Sequence, residues 1–233
     1  EYPVYGLQPP GLEGDDLPVL TTIEAMAAFY LAEMRQIQPV GPYYLLGRCF
    51  GGVIAFEMAQ QLVAQGQEVA LLALLDTMTP PGQPRPNRSQ HPFRKRLKRL
   101  IKLWKRLRSQ ADVFTGLRGL SYRHYHRLER VWRAQQQARQ TYVPRVYSGK
   151  ITFFWPAAKR WKRREGWRAL TTQPLVVHRA PGTHKTMTQE PHVRVLAETL
   201  RTCLAQAHAL SEEERLPGGG DDITIPRKCI RGL

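Results

Sequence analysis

Three residue types in this chain stand where nucleophilic acyl transfer would need them. Cys49 is the middle residue of Gly47-Arg48-Cys49-Phe50-Gly51, a G-x-S-x-G pattern with cysteine in the serine position. The short apolar run Tyr43–Leu46 precedes it, and a helix-period segment of about Gly52–Ala64 follows. Strand, glycine turn and helix form the setting that lifts a nucleophile above a sheet on a strained backbone. Glycine is expected at both Gly47 and Gly51, because a side chain at either would meet the neighbouring strand or helix. The backbone N–H of Phe50 would face a developing oxyanion, and the helix would turn its positive end toward the sulfur.

A cysteine nucleophile needs a base, and the base needs an orienting group. Asp76 follows Cys49 by 27 residues, at the end of the apolar run Val69–Leu75. Ligands and catalytic groups in open α/β sheets collect at that carboxyl edge. Seven histidines compete for the base. His91, His124 and His126 fall in a basic helical insert, His178 inside a strand, His192 and His208 in the last helix. His184 sits in Pro181-Gly182-Thr183-His184, a loop just after a strand, from which an imidazole reaches over the sheet edge. The chain order is then nucleophile, acid, histidine.

The elements that must hold these groups read as an alternation. Pro3–Leu7 is a predicted strand. Thr21-Thr22-Ile23-Glu24 fits a capping box for a helix ended by Pro39 and Gly41-Pro42. Tyr43–Leu46 and Val69–Leu75 are buried strands on either side of the helix of about Gly52–Ala64, with Gly66 as its C′ residue. Arg94 to Tyr142 is strongly helical, strands resume at Ile151–Trp155 and Leu175–His178, and a final helix spans about Pro191–Ala209. This order predicts an α/β fold with a mostly parallel sheet.

Composition sets the outer limits. The chain has 233 residues, 42% of them apolar and 9% aromatic, which supports a sizeable core and excludes a disordered chain. No stretch approaches the ~20 uncharged apolar residues of a membrane span. Glu1-Tyr2-Pro3 resembles neither a signal peptide nor an ordinary start, so the chain reads as an excised domain. Cys49, Cys203 and Cys229 do not make a disulfide framework, which points to a reducing, cytoplasmic setting. The net charge of +16 is concentrated, with nine basic residues and no acid from Arg94 to Arg108. Such a patch suggests an anionic partner. No nucleic-acid-binding module accompanies it. A membrane surface is the lesser reading of this basic helix with Trp104, and a solvated helix face competes with any functional one.

Several motifs together carry a family resemblance. Gly41-Pro42-Tyr43-Tyr44-Leu45-Leu46-Gly47 leads into the elbow, and Phe50-Gly51-Gly52-Val53-Ile54-Ala55-Phe56-Glu57-Met58-Ala59 leaves it. Leu74-Leu75-Asp76-Thr77, Gly149-Lys150-Ile151-Thr152-Phe153-Phe154, Gly166-Trp167-Arg168 and Pro181-Gly182-Thr183-His184 follow. Over about Tyr2–Ala209 the chain resembles a type I thioesterase domain, the α/β-hydrolase at the end of nonribosomal peptide and polyketide synthetases. The resemblance implies a domain over 1–210 with a lid over about 80–141, and a linker or tail over 211–233 containing Gly218-Gly219-Gly220. It implies that Cys49 attacks an acyl or peptidyl thioester carried on the phosphopantetheine of a carrier protein. His184 would act as base and then acid, Asp76 would orient it, and Phe50 would supply an oxyanion N–H. Release would follow by hydrolysis or cyclisation. No bound cofactor or metal is implied. The partners implied are upstream synthetase modules and an acidic carrier docking on Arg94–Arg108.

Two departures from the family pattern matter. Serine is the usual nucleophile; cysteine would give an acyl thioester that keeps more transfer potential. The family also has an earlier strand and a loop donating a second oxyanion N–H, whereas this chain opens at Pro3–Leu7. On that basis the sheet is expected to be N-terminally truncated and the fragment poorly active alone. Two other readings remain: a cysteine α/β-hydrolase of small esters or lactones, and a non-catalytic carrier-binding module.

Overall fold

Val69–Leu75 is apolar without interruption, as a strand covered on both faces must be. In the computed structural model, which describes residues 3–12, 19–80, 122–158 and 165–215, this segment is an inner strand of a four-stranded sheet. The strands are β1 (Tyr43–Arg48), β2 (Val69–Leu75), β3 (Thr152–Pro156) and β4 (Val176–Ala180). They pair in that order and all in parallel. The carboxyl ends of all four therefore lie along one edge.

Successive residues of β2 face opposite ways. Leu72 and Leu74 join one apolar cluster with α1 (Ile23–Ile37) and α2 (Phe50–Ala64). Leu71, Ala73 and Leu75 join another on the far face. There they meet Leu196, Cys203 and Ala207 of the C-terminal helix, here α5 (His192–Arg215). Among the described residues the two remaining helices are α3 (Tyr122–Thr141) and the single turn α4 (Glu165–Arg168). Among the described residues no helix is long and apolar enough to cross a membrane.

Local chemistry explains the ends of the elements near the site. The Thr22 hydroxyl accepts from the Ala25 N–H at 3.2 Å and caps α1. Glu24 is only the second residue of that helix, so the expected reciprocal capping box, which needs its acid one residue later, does not form. α2 ends in a Schellman motif: Gly66 has φ +72°, its N–H reaches the Val63 carbonyl at 3.0 Å, and the Gln67 N–H reaches Leu62 at 2.9 Å. Within α2, Glu57 is buried and accepts from Tyr142, Gln60 and Gln61, which ties the helix to the segment after α3. A buried carboxylate needs that many donors to offset its lost hydration.

Several expectations are corrected. Pro3–Leu7 is exposed and, among the described residues, pairs with no strand; Val4 is 91% exposed, and an extended stretch without a ladder is not a strand. The last helix runs on to Arg215, so residues 211–215 continue it and are not a linker; the buried Ser211 holds that extra turn to the body. Residues 216–233 lie outside the described residues. So do Arg94–Arg108 and most of the expected lid, of which α3 is the described part; Val131, Ala134 and Ala138 bury one stripe of it.

Candidate functional site

Cys49 occupies the turn between β1 and α2 with φ 54° and ψ −115°, a conformation that few L-residues adopt. Its side chain is exposed. The helix starts immediately afterwards, two residues earlier than expected, so Phe50 is its first residue. The Phe50 N–H is thus one of the four at a helix start that no intrahelical carbonyl takes. The backbone N–H of Cys49 donates to the Leu75 carbonyl at 3.0 Å, fastening the turn to the end of β2.

The glycines around this turn are not equivalent. A Cβ on Gly47 would lie 2.4 Å from the Gly51 carbonyl oxygen and 2.5 Å from Gly52 Cα. A Cβ on Gly52 would lie 1.9 Å from Thr77 Oγ1. One on Gly51 meets nothing within 4 Å. The expectation for Gly47 is met, whereas the second tight position is Gly52 and not Gly51. Close approach of helix to strand on one side, and of helix to the turn after Asp76 on the other, fixes both.

Asp76 directly follows β2 with φ 43°, and its N–H donates to the Phe154 carbonyl at 2.9 Å. Its side chain is 3% exposed. The next residue, Thr77, receives a hydrogen bond on its carbonyl from the indole N–H of Trp167 at 2.9 Å, and that indole is fully buried. The acid therefore stands on a turn braced from β3 and from α4.

His184 is brought to Asp76. Its Nδ1 lies 2.7 Å from Asp76 Oδ2, and the ring is 37% exposed. The carboxylate accepts from Nδ1–H, leaving Nε2 as the nitrogen able to take a proton from a nucleophile. The supporting loop is short and internally bonded. The Thr183 N–H donates to Thr186 Oγ1 at 2.9 Å, the Met187 N–H donates to the Thr183 carbonyl at 2.9 Å, and Met187 is buried beneath. Gly182 has φ +83° at its entrance. Arg48, one residue before Cys49, donates from Nη2 to the His184 carbonyl. The elbow and the histidine loop are therefore directly linked.

The other histidines do other things. His178 stacks on Phe154, with ring centroids 5.3 Å apart, and lies 3.5 Å from Cys203 Sγ. Burial pushes the His178 imidazole down and the Cys203 thiol up, so both rest uncharged in the layer under α5. His126 and His208 pair with Glu129 and Glu212 on helix surfaces. His91 lies outside the described residues. A groove lined by Gln60, Val63, Ala64 and Val146 sits at the far end of α2 from Cys49. Among the described residues no group of three or more His, Cys, Asp or Glu side chains is placed to hold a metal.

Two supporting side chains escaped the sequence reading. Arg48 lay inside the elbow pentapeptide without a role, and its one signal was a cation closing an apolar strand. Trp167 was marked only by family resemblance.

A family model described as "Thioesterase domain" matches residues 1–204. Malpibaldin synthetase of Mortierella alpina is 28% identical over 228 residues, which is 89% of this chain and 4% of that protein. A dimodular nonribosomal peptide synthase of Bacillus subtilis is 48% identical over 77 residues, 33% of this chain and 3% of that protein. The chain thus spans a small part of the curated relatives it matches. Among solved structures, the NocB thioesterase domain from the nocardicin cluster aligns with a TM-score of 0.59 at 29% identity, covering 84% of this chain and 79% of that one. The four-domain nonribosomal peptide synthetase AB3403 aligns with a TM-score of 0.66 at 27% identity, covering 84% of this chain and 17% of that one.

Proposed function

The chain belongs to the thioesterase domain family and has its α/β-hydrolase fold; from that premise we propose that it releases an acyl or peptidyl chain from a carrier-protein phosphopantetheine through an acyl-Cys49 intermediate. The observation that carries this reading is the 2.7 Å bond from His184 Nδ1 to Asp76 Oδ2, taken together with an exposed Cys49 on a positive-φ turn.

The steps follow from these positions. His184 Nε2 takes the Cys49 thiol proton, and the sulfur attacks the thioester carbonyl carbon. Negative charge collects on the carbonyl oxygen, where the Phe50 N–H and the positive end of α2 stabilise it. The carbon–sulfur bond to pantetheine then breaks, and its sulfur leaves with the proton held by the imidazolium. Asp76 keeps Nδ1 as the bonded nitrogen and offsets the imidazolium charge. In the second half His184 deprotonates water, or an amine or hydroxyl of the bound chain, which displaces Cys49.

Thioester-to-thioester transfer conserves acyl-transfer potential. Cysteine at this position therefore suits aminolysis or closure of a strained ring over plain hydrolysis. The relatives are synthetases many times longer than this chain, which supports upstream modules and a carrier domain as partners. An acidic carrier docking through Arg94–Arg108, and a lid spanning about 80–141, are part of the same proposal.

The test is incubation with an acyl-pantetheine thioester, followed by intact and peptide mass measurement beside Cys49→Ala. An acyl adduct on Cys49 that is absent from the variant is the expected result. Carrier binding with an unreactive Cys49 would instead support a binding module. Turnover of free small esters without preference for pantetheine would support a general esterase.

A further inference from the structure

We propose that Arg48 is a positioning residue for His184, a guanidinium clamp joining the nucleophile's strand to the histidine's loop. This rests on the roles assigned above to Cys49 and His184.

His184 is held at two points. Asp76 Oδ2 takes its ring through Nδ1, and Arg48 Nη2 takes its backbone carbonyl. The first bond sets the tautomer and one ring direction but leaves the imidazole free to swing about that contact. The second fixes the backbone from which the side chain departs. Together they fix where Nε2 falls. The internal bonds of the loop, Thr183 to Thr186 and Met187 to Thr183, shape it but do not tie it to β1.

The source of the clamp gives it meaning. Arg48 is the last residue of β1 and is bonded in sequence to Cys49, so a movement of the elbow is passed to the histidine loop. Arg48 Nε is buried and, among the described residues, has no hydrogen-bond partner. Burying an unmatched N–H of a cation is unfavourable. A shorter or apolar side chain at this strand end would avoid that penalty. Among the described residues the bond that the guanidinium head makes is the one to His184. A planar, always charged donor suits a fixed carbonyl better than a flexible ammonium does.

The experiment uses the full chain with Arg48→Met, Arg48→Gln and Arg48→Lys. One readout is the downfield proton resonance of the His184 Nδ1–H bonded to Asp76, assigned by its loss in His184→Gln. The other is kcat and KM on an acyl-pantetheine thioester. Arg48→Met is expected to broaden or lose the resonance and to lower kcat by about 10²-fold with KM unchanged, the scale of a small misplacement of a catalytic group. Arg48→Lys and Arg48→Gln, which keep a donor, are expected to recover part of both. An Arg48→Met protein that keeps the resonance, or keeps wild-type kcat, overturns the proposal. If Arg48→Met does not fold, wild-type values in both Lys and Gln variants overturn it, and graded losses sustain it. If the wild-type chain does not turn over, the resonance still decides the role of Arg48, and the functional reading stands or falls separately on the Cys49 adduct.

Discussion

The Cys49 N–H and the Leu75 carbonyl are joined at 3.0 Å across the ends of β1 and β2, so the nucleophile's turn hangs from the residue just before Asp76. Cys49 and Asp76 both carry positive φ, at 54° and 43°. Two strained positions side by side at one sheet edge are unfavourable for folding and persist because the neighbouring ladder over-determines them. The geometry of the site is in this sense a property of the β1–β2 pairing.

Close packing at the elbow separates two adjacent glycines. Gly52→Ala drives a Cβ to 1.9 Å from Thr77 Oγ1, next to Asp76. Such overpacking costs about 1–3 kcal/mol, and it displaces the acid's turn. Gly51→Ala meets open space and replaces glycine in the first turn of a helix, which leaves stability unchanged or raises it. Urea midpoints of the two variants, with activity alongside, check this. Equal losses would mean that the helix start is held by something other than its contact with Thr77.

Asp76→Asn tests the orienting role without changing side-chain size. Its amide NH2 can donate to Nδ1, which moves the ring proton to Nε2 and leaves no acceptor for the Cys49 proton. On the scale of other nucleophile–histidine–acid sites, kcat falls on the order of 10³–10⁴-fold. Steady-state kinetics with a fold check by circular dichroism measures it. A loss under tenfold would remove Asp76 from the reaction.

The legible part of this protein was the part made by periodicity and by glycine. Val69–Leu75 and the helix after Cys49 follow from runs and spacing that a two-sided sheet forces on sequence. The meeting of Asp76 and His184 was legible because each follows a strand, and all parallel strands end at one edge. Pro3–Leu7 misled because its composition says extended while a strand also needs a partner beside it. The tail misled because Glu212–Arg215 is polar in sequence, yet extends a helix whose last turn includes the buried Ser211. Arg48 was illegible for a different reason. Its target is a backbone carbonyl 136 residues away, and backbone atoms leave no trace in side-chain identity.

Alkaline stability follows from the tyrosines. Burial pushes Tyr30 and Tyr147 from an ordinary value of 10.0 up to about 12, and raises Tyr142 as well, the last also through Glu57. The folded state therefore holds its phenolic protons where the unfolded chain gives them up. That contribution is complete below pH 10.0 and is lost as pH rises toward about 12. Urea midpoints should fall across that window. Tyr30→Phe, which removes one raised phenol with little change of volume, should make the fall shallower.

Thiol labelling distinguishes the two described cysteines. Cys49 is exposed at the elbow, whereas Cys203 is buried under the sheet against His178. Burial disfavours the thiolate of Cys203, and the thiolate is the form that alkylates. His178 offers no counter-charge, because its own burial keeps it neutral. Iodoacetamide on the native protein, followed by peptide mapping, should therefore modify Cys49 promptly and leave Cys203 until denaturant opens α5. Labelling of Cys203 should track the unfolding curve, since its cluster with Leu71, Ala73 and Leu75 of β2 is broken only when that helix leaves the sheet. Native-rate labelling of Cys203 would mean that α5 opens on its own. The layer beneath β2 and β4 would then be the weakest part of the fold, and the histidine loop seated on Met187 would loosen with it.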